Sequence, residues 1–382
     1  MKRYVAPFYI IFFSSFLSPI LDFPLYLAEV DIVWLSKVPL VSLFLLALVF
    51  HLTRPIKVSG ESILFAFAGS LALIIGIFEY QFTRPAFLTH FYASLMPIIS
   101  ISFGRHFCKF CDSEVLNSFG RLMEKIFYLQ VFILLAYFYF YYIQGTWSYF
   151  GFGTGIGLAS IYMLSVQKKY SFLLGVFFDL LSGKRSGFIA VISVTVLYYL
   201  RRPQNSRFII GASFFLLALM LLMLKDVGVF RDIFRRFELI ADFDISDATA
   251  IFISTGGRLT EVFSIIDFLD ERSYRWFIGS GMGAQYLFFD PRDGFQPELF
   301  HYAHFSPFGY IFLFGVPFTV LFYCFLFVRV LRGQILVGNF FYLGFLFLII
   351  TSFFGSNLFI DPRIWFFYGF VIQLVQDKRF FV

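Results

Sequence analysis

Along most of this chain the apolar residues neither alternate with polar ones nor recur at amphipathic spacing. They run on without interruption, as in "VSLFLLALVF" (41–50) and "FFYLGFLFLII" (340–350). With their flanks, such runs are long enough to cross about 30 Å of hydrocarbon as helices. The pattern predicts spans over residues 4–21, 32–51, 62–80, 86–103, 126–143, 155–166, 170–182, 187–200, 208–224, 306–328, 335–354 and 363–376, the sixth and seventh being short. The expected fold is therefore an all-α polytopic integral membrane protein of about twelve transmembrane helices. The opening "MKRYVAPFYIIFFSSFLSPIL" has a basic start and an apolar core but no small-x-small cleavage site. It reads as the first span and not as a cleaved leader.

The pattern breaks once at length, over residues 225–304. A connection of that size is expected to be folded and functional. The chain thus divides into spans one to nine (1–224), a large loop (225–304) and spans ten to twelve (305–382). Within the loop, "VFRDIFRRFELI" (229–240) and "GGRLTEVFSIIDFLDERS" (256–273) have apolar residues at helical spacing. The first suits a helix lying on the membrane surface. The second places Leu259, Val262, Phe263, Ile266 and Leu269 on one face. "FIGSGMGAQY" (277–286) reads as a glycine-rich turn, and "FHYAHFSPFGYIFLFG" carries His301 and His304 into the tenth span.

Composition agrees with the span pattern: 59% of residues are hydrophobic and 14% charged. The 62 phenylalanines need no special role, since any apolar residue serves at a lipid-facing position. Charge then orients the chain. With the N-terminus inside, the short inward segments hold more than half of the 30 lysines and arginines and, of the acids, only Glu61, Asp112, Glu114, Glu124 and Asp377. This positive-inside bias puts both termini in the cytoplasm and the large loop outside. Trp34, Trp147, Trp276 and Trp365 then fall at or beyond the outer face, as an interfacial belt or as platforms for sugar rings. "CKFC" (108–111) lies in an inward loop with no second pair to complete a zinc site.

Against this background a few polar residues stand out. Lys184 and Arg185 of "SGKRSG" sit between the seventh and eighth spans, on the outer side, where charge statistics do not favour cations. They are either snorkelling anchors or an anion site, with Gly183 and Gly187 admitting a headgroup and the helix start adding partial positive charge. Arg258 stands at the start of the second amphipathic helix, where a cation opposes the dipole unless an anion lies nearby. Arg185 and Arg258 could grip one polyanion, Arg offering a planar fork of donors. His301 and His304 share a face if their stretch is helical, and either can accept a proton near neutral pH. Without a Cys or third His they do not read as a zinc site. "DFD" (242–244) with Asp247 resembles a metal-binding carboxylate pair, although a solvated acidic surface explains it too.

The ordered set of "SGKRSG", "GGRLTEVF", "IGSGMGA" and His304 followed eleven residues later by Gly315 resembles the O-antigen polymerase and O-antigen ligase superfamily of bacterial envelope glycosyltransferases. The resemblance covers roughly residues 180–320. It departs where Phe305 follows the histidine in place of a small polar residue. It implies a GT-C-like enzyme of the bacterial inner membrane that transfers an oligosaccharide from undecaprenyl diphosphate at the periplasmic face. A polymerase moves the chain onto the next lipid-linked repeat unit; a ligase moves it onto lipid A-core. Within the resemblance Arg185, Lys184 and Arg258 hold the diphosphate and His304 or His301 takes the acceptor's proton, with inversion at the sugar. No metal or other cofactor is expected. The expected partners are the lipid-linked oligosaccharide, membrane lipid, and a chain-length regulator and flippase of the same pathway, with no nucleic acid. A flippase or transporter is the rival class, since it fits the same span pattern.

Overall fold

A computed structural model describes residues 38–80, 85–111, 113–144, 153–181, 185–201, 255, 257–290, 296–354 and 361–377. These residues are mostly helical. The first seven helices are α1 (Val38–Thr53), α2 (Gly60–Glu79), α3 (Pro85–Phe110), α4 (Ser113–Gln144), α5 (Gly153–Ser165), α6 (Lys169–Leu181) and α7 (Arg185–Leu200). After the loop come α8 (Arg258–Asp270), the single turn α9 (Arg275–Ile278), strands β1 (Tyr286–Asp290) and β2 (Gln296–Phe300), then α10 (Ser306–Phe314), α11 (Val316–Gly333), α12 (Phe340–Phe354) and α13 (Pro362–Asp377).

Ten of the predicted spans fall within the described residues, 32–51 and 170–182 in part, and a helix stands at each. Spans 4–21 and 208–224, the helix expected at 229–240 and the "DFD" stretch lie outside them. Among the described residues three helices are long and apolar enough to cross a membrane: Gly60–Glu79, Ala86–Phe110 and Val316–Leu336. Shorter apolar helices stand at Leu40–Thr53, Gly155–Ser165, Ser186–Leu200 and Phe340–Phe353. The structure is thus that of a helical membrane protein, but the described residues do not supply about twelve full-length crossings. At about 1.5 Å per residue the shorter helices fall short of the hydrocarbon thickness.

Small residues bring the helices together. Ser59 caps α2 by accepting the Ser62 N–H at 3.1 Å, and Glu61 sits in the first turn, where the helix dipole favours an acid. The buried face of α2 includes Phe65, Ala68, Gly69, Ala72 and Gly76. A Cβ on Gly104 of α3 would lie 2.1 Å from the Phe366 carbonyl, and one on Gly369 of α13 2.0 Å from the Ile101 carbonyl. Such small-residue crossings let dispersion and close backbone approach hold helices together in lipid, where apolar burial alone gives little.

The core is aromatic. Phe65 meets Phe314, Phe318, Phe322 and Trp365 at ring separations of 5.1–6.3 Å. Phenylalanine is therefore not only lipid-facing filler. Phe67 and Phe78 are exposed on the bundle surface, but Phe65, Phe127, Phe322 and Phe367 are fully buried. Trp365 is 1% exposed and packs on Phe65 and Phe322, so it belongs to the core and not to an interfacial belt. Cys108 and Cys111 are likewise buried core residues.

Contacts sort the helix ends into two groups. At one end Arg329 of α11 donates to Glu61 at 2.8 Å, Lys168 pairs with Glu124, and Arg201, just after α7, donates to Gln334, just after α11. The opposite end holds Glu79 at the close of α2, which pairs with Arg272 at 3.2 Å. It also holds the start of α10, where the Ser306 hydroxyl donates to the Ser352 carbonyl of α12 at 2.9 Å. The start of α7 belongs to this second end, because its C-terminus belongs to the first.

Three expectations for the loop region are corrected. The chain is not all helix: β1 and β2 form an antiparallel hairpin pairing Tyr286 with Phe300 and Asp290 with Gln296. The buried face of α8 is Glu261, Val262, Ile265 and Leu269, with Phe263 49% exposed and Ile266 off the main face. The hairpin covers a side of the helix that includes an acid, so the apolar stripe alone misjudged its rotation. Finally, the tenth span is broken: Gly315 has φ +85° and ends α10, and α11 restarts at Val316 with Pro317 in its first turn. A Cβ on Gly315 would lie 2.4 Å from the Phe277 carbonyl.

Candidate functional site

The site is assembled where α8, the hairpin and the start of α10 meet at the Glu79 end of the bundle. Helix α8 starts abruptly. Gly257 adopts φ +80°, which a glycine accepts without a steric cost, and the Thr255 hydroxyl accepts the Leu259 N–H at 3.4 Å. The Glu261 N–H closes the first turn on the Gly257 carbonyl at 2.9 Å. Arg258 is the first helical residue and Glu261 stands one turn on, so both project from the same end of α8.

Glu261 is 2% exposed, and its carboxylate collects donors from two other segments. Oε2 accepts the His304 backbone N–H at 2.8 Å. Oε1 accepts from His304 Nδ1 at 3.1 Å. The Tyr286 hydroxyl lies 3.1 Å from Oε1 and 2.8 Å from the Tyr302 carbonyl, so its one hydrogen is shared between two acceptors. A buried carboxylate needs such donors to offset the lost water. Bonding at Nδ1 fixes the tautomer of His304. With the hydrogen on Nδ1, Nε2 keeps its lone pair, on a ring that is 47% exposed. Burial raises the Tyr286 phenol far above its ordinary pKa, with Glu261 adding to the effect, so this group stays a neutral donor.

A glycine turn docks the loop onto the membrane helices. Gly279, Gly281 and Gly283 all have positive φ. The Ser280 N–H donates to the Phe312 carbonyl at 2.8 Å and the Met282 N–H to the Ala72 carbonyl of α2 at 2.8 Å. At this contact a Cβ on Gly76 would lie 2.3 Å from the Met282 carbonyl, and one on Gly281 2.6 Å from Ile75. Beside the turn, Arg272 and the Tyr274 hydroxyl both bond Glu79. Buried Arg275 stacks 4.0 Å over Phe268 and donates to the Phe268 carbonyl at 2.7 Å.

The sequence-predicted residues fall as follows. His304 is in the site, through Glu261. His301 is close in sequence, but residues 301–305 are not helical, so the two histidines do not share a helix face. Their rings instead flank Tyr302, at 5.1 and 5.4 Å. Burial lowers the pKa of His301. Arg258 stands one turn from Glu261. Arg185 is the first residue of α7, at the same end of the bundle, and Lys184 lies outside the described residues. Among the described residues no group of three or more His, Cys, Asp or Glu could hold a metal.

Two residues of the site carried no expectation. Glu261 lies inside the quoted "GGRLTEVF", but an acid in a first helical turn is explained by the dipole alone. His90, in α3, is 3% exposed and takes the Gly283 N–H on Nδ1 at 3.0 Å, while Nε2 donates to the His301 carbonyl. No signal marks a lone histidine in an apolar run.

Compared with known proteins, the chain matches no family model, no curated protein and no solved structure.

Proposed function

We propose that this chain is a surface-polysaccharide polymerase of the bacterial inner membrane. It transfers a glycan from an undecaprenyl-diphosphate carrier onto the next lipid-linked repeat unit, with inversion and without a metal. About twelve spans, cytoplasmic termini and a periplasmic site belong to the same proposal. The observation that carries it is the Glu261–His304 pair, a buried carboxylate holding a half-exposed imidazole in one tautomer.

The chemistry follows from that geometry. The acceptor hydroxyl attacks the anomeric carbon, and the bond to the diphosphate oxygen breaks with its electron pair. His304 Nε2 takes the hydroxyl proton, and the imidazolium formed is stabilised by Glu261 across Nδ1–H. Diphosphate is a good leaving group, so no general acid is needed. Charge developing on it calls for cations, the role proposed for Arg258 at the start of α8 and for Lys184 and Arg185 before and at the start of α7, each charge-assisted bond contributing about 1.5–3 kcal/mol. Orientation by Glu261 favours His304 over His301 as the proton acceptor.

The experiment is glycan length analysis in cells carrying His304→Ala, Arg258→Ala or Arg185→Ala. Loss of the ladder, leaving lipid A-core with one repeat unit, is expected for each. Bare lipid A-core with carrier-linked polymer accumulating would identify a ligase instead. Wild-type ladders from all three would refute the transferase site and leave the flippase reading.

A further inference from the structure

We propose that His90 is a positioning residue for this site: a latch from membrane helix α3 that grips both limbs of the hairpin at its base and so sets where His304 meets Glu261. The proposal rests on the reading of His304 as the proton acceptor.

The two nitrogens of His90 are used with opposite polarity. Gly283 N–H points its hydrogen at Nδ1, so Nδ1 is unprotonated and the hydrogen is on Nε2, which donates to the His301 carbonyl. A neutral imidazole can do both at once. The two partners are far from His90 in sequence but flank the same element. Gly283 comes just before β1, and His301 directly follows β2, whose last pair is Tyr286 with Phe300. Three residues beyond Gly283 is Tyr286, and three beyond His301 is His304. Both are donors to Glu261. The latch therefore fixes the origin of each donor, while Glu261 itself is supplied by a different element, α8.

A filler role for His90 does not account for this arrangement. Its surroundings include Ala93, Phe312 and Leu313, where a phenyl ring would pack without a desolvation cost. Imidazole in such a place is tolerated only with both nitrogens bonded, and here both bonds go to the backbone of the site segments.

The test uses the full chain in lipid nanodiscs, with three variants. His90→Phe keeps a ring and removes both bonds. His90→Asn keeps an acceptor near Nδ1, and His90→Gln keeps a donor near the Nε2 position. One readout is amide hydrogen exchange of peptides containing residue 283 and residues 299–306. The other is transfer kinetics, with lipid-linked oligosaccharide extracted from cells lacking the enzyme.

His90→Phe is expected to speed exchange in both peptides about tenfold or more, with α13 unchanged. It should lower kcat about 10- to 100-fold, because a displacement near 1 Å has that effect, with donor KM within about twofold. His90→Asn should restore protection around residue 283, and His90→Gln over 299–306. Unchanged exchange in His90→Phe overturns the latch, as does faster exchange across the whole bundle. Local loosening with an unchanged kcat overturns the positioning role. If the wild-type chain transfers no glycan, the transferase reading fails, and the exchange pattern still decides whether the latch exists.

Discussion

Replacing Glu261 by Gln changes neither the shape nor the volume of the side chain, so its effect reports on charge and hydrogen-bond polarity alone. The carboxamide has one acceptor oxygen where the carboxylate has two. If that oxygen takes the place of Oε1, the amide nitrogen opposes the His304 backbone N–H, donor against donor at 2.8 Å. The favoured orientation therefore puts the oxygen at Oε2 and the NH2 group toward His304 Nδ1 and the Tyr286 hydroxyl. His304 must then accept at Nδ1, which moves its hydrogen to Nε2. The nitrogen proposed to take the acceptor's proton is now blocked, although no heavy atom has moved.

The expected loss of activity is the whole contribution of a positioned base, about 10²- to 10⁴-fold. The stability cost is smaller. Bonds to a charged acceptor are each worth about 1 kcal/mol more than neutral ones, so weakening two of them costs about 1–3 kcal/mol. Tyr286 keeps its bond to the Tyr302 carbonyl at 2.8 Å, which limits the damage. The assay is transfer rate from purified lipid-linked donor, beside thermal unfolding of the same preparation. A Glu261→Gln protein that turns over at the wild-type rate refutes the tautomer argument. One that fails to fold shows that the carboxylate is structural, and Glu261→Asp then becomes the informative variant.

Four further outcomes are expected. Gly76→Ala puts a Cβ 2.3 Å from the Met282 carbonyl and should cost about 1–3 kcal/mol in thermal or denaturant unfolding. Gly60→Ala, whose Cβ meets only the Phe325 ring at 3.5 Å, should be neutral in the same measurement. Arg329→Met removes the cation paired with the fully buried Glu61 carboxylate and leaves it the neutral Tyr368 hydroxyl at 2.9 Å, which should cost about 3–5 kcal/mol, most of it recovered in the double variant with Glu61→Gln. Because burial lowers the pKa of His301 below its ordinary value, the folded chain disfavours its proton. Its contribution to stability is present above about pH 6.5 and is lost as pH falls toward the folded value. Unfolding midpoints measured from pH 7 to pH 5 should fall less in His301→Asn than in wild type.

The helices were legible because lipid demands unbroken apolar runs, and each predicted span among the described residues meets a helix. Their lengths and breaks were less so. Gly315 reads as one glycine in an apolar run, and only its φ of +85° and the nearby Phe277 carbonyl reveal why α10 stops there. The hairpin left little trace: "YLFF" (286–289) is apolar throughout, so the alternation by which Tyr286 and Phe288 are buried and Leu287 and Phe289 exposed could not be read from it. Arg258 was expected at a helix start, where α8 begins, and His304 at the entry to the tenth span, where it stands two residues before α10. Glu261 and His90 were not legible as site residues. Their roles come from partners 43 and 211 residues away in sequence, and no local pattern encodes such a distance.

The depth at which the glycine turn docks bears on what kind of substrate the site suits. Met282 bonds Ala72, seven residues before the end of α2, which is about 10 Å below that end. His90 lies five residues inside α3, about 7 Å below its start, and from there holds the His301 backbone. The loop thus does not perch above the bundle but sinks into it, so the His304 segment is held near the level where the apolar helices end. For a soluble substrate such depth brings no advantage and hinders access. If the substrate is the proposed glycan on a lipid diphosphate, a site near the ends of the apolar helices would let the carrier stay in the bilayer. The three glycines of the turn, with Gly76 and Gly315, are what allow the backbone to descend that far. On this reasoning their substitution should impair transfer from a long-chain carrier more than from a short, water-soluble prenyl analogue.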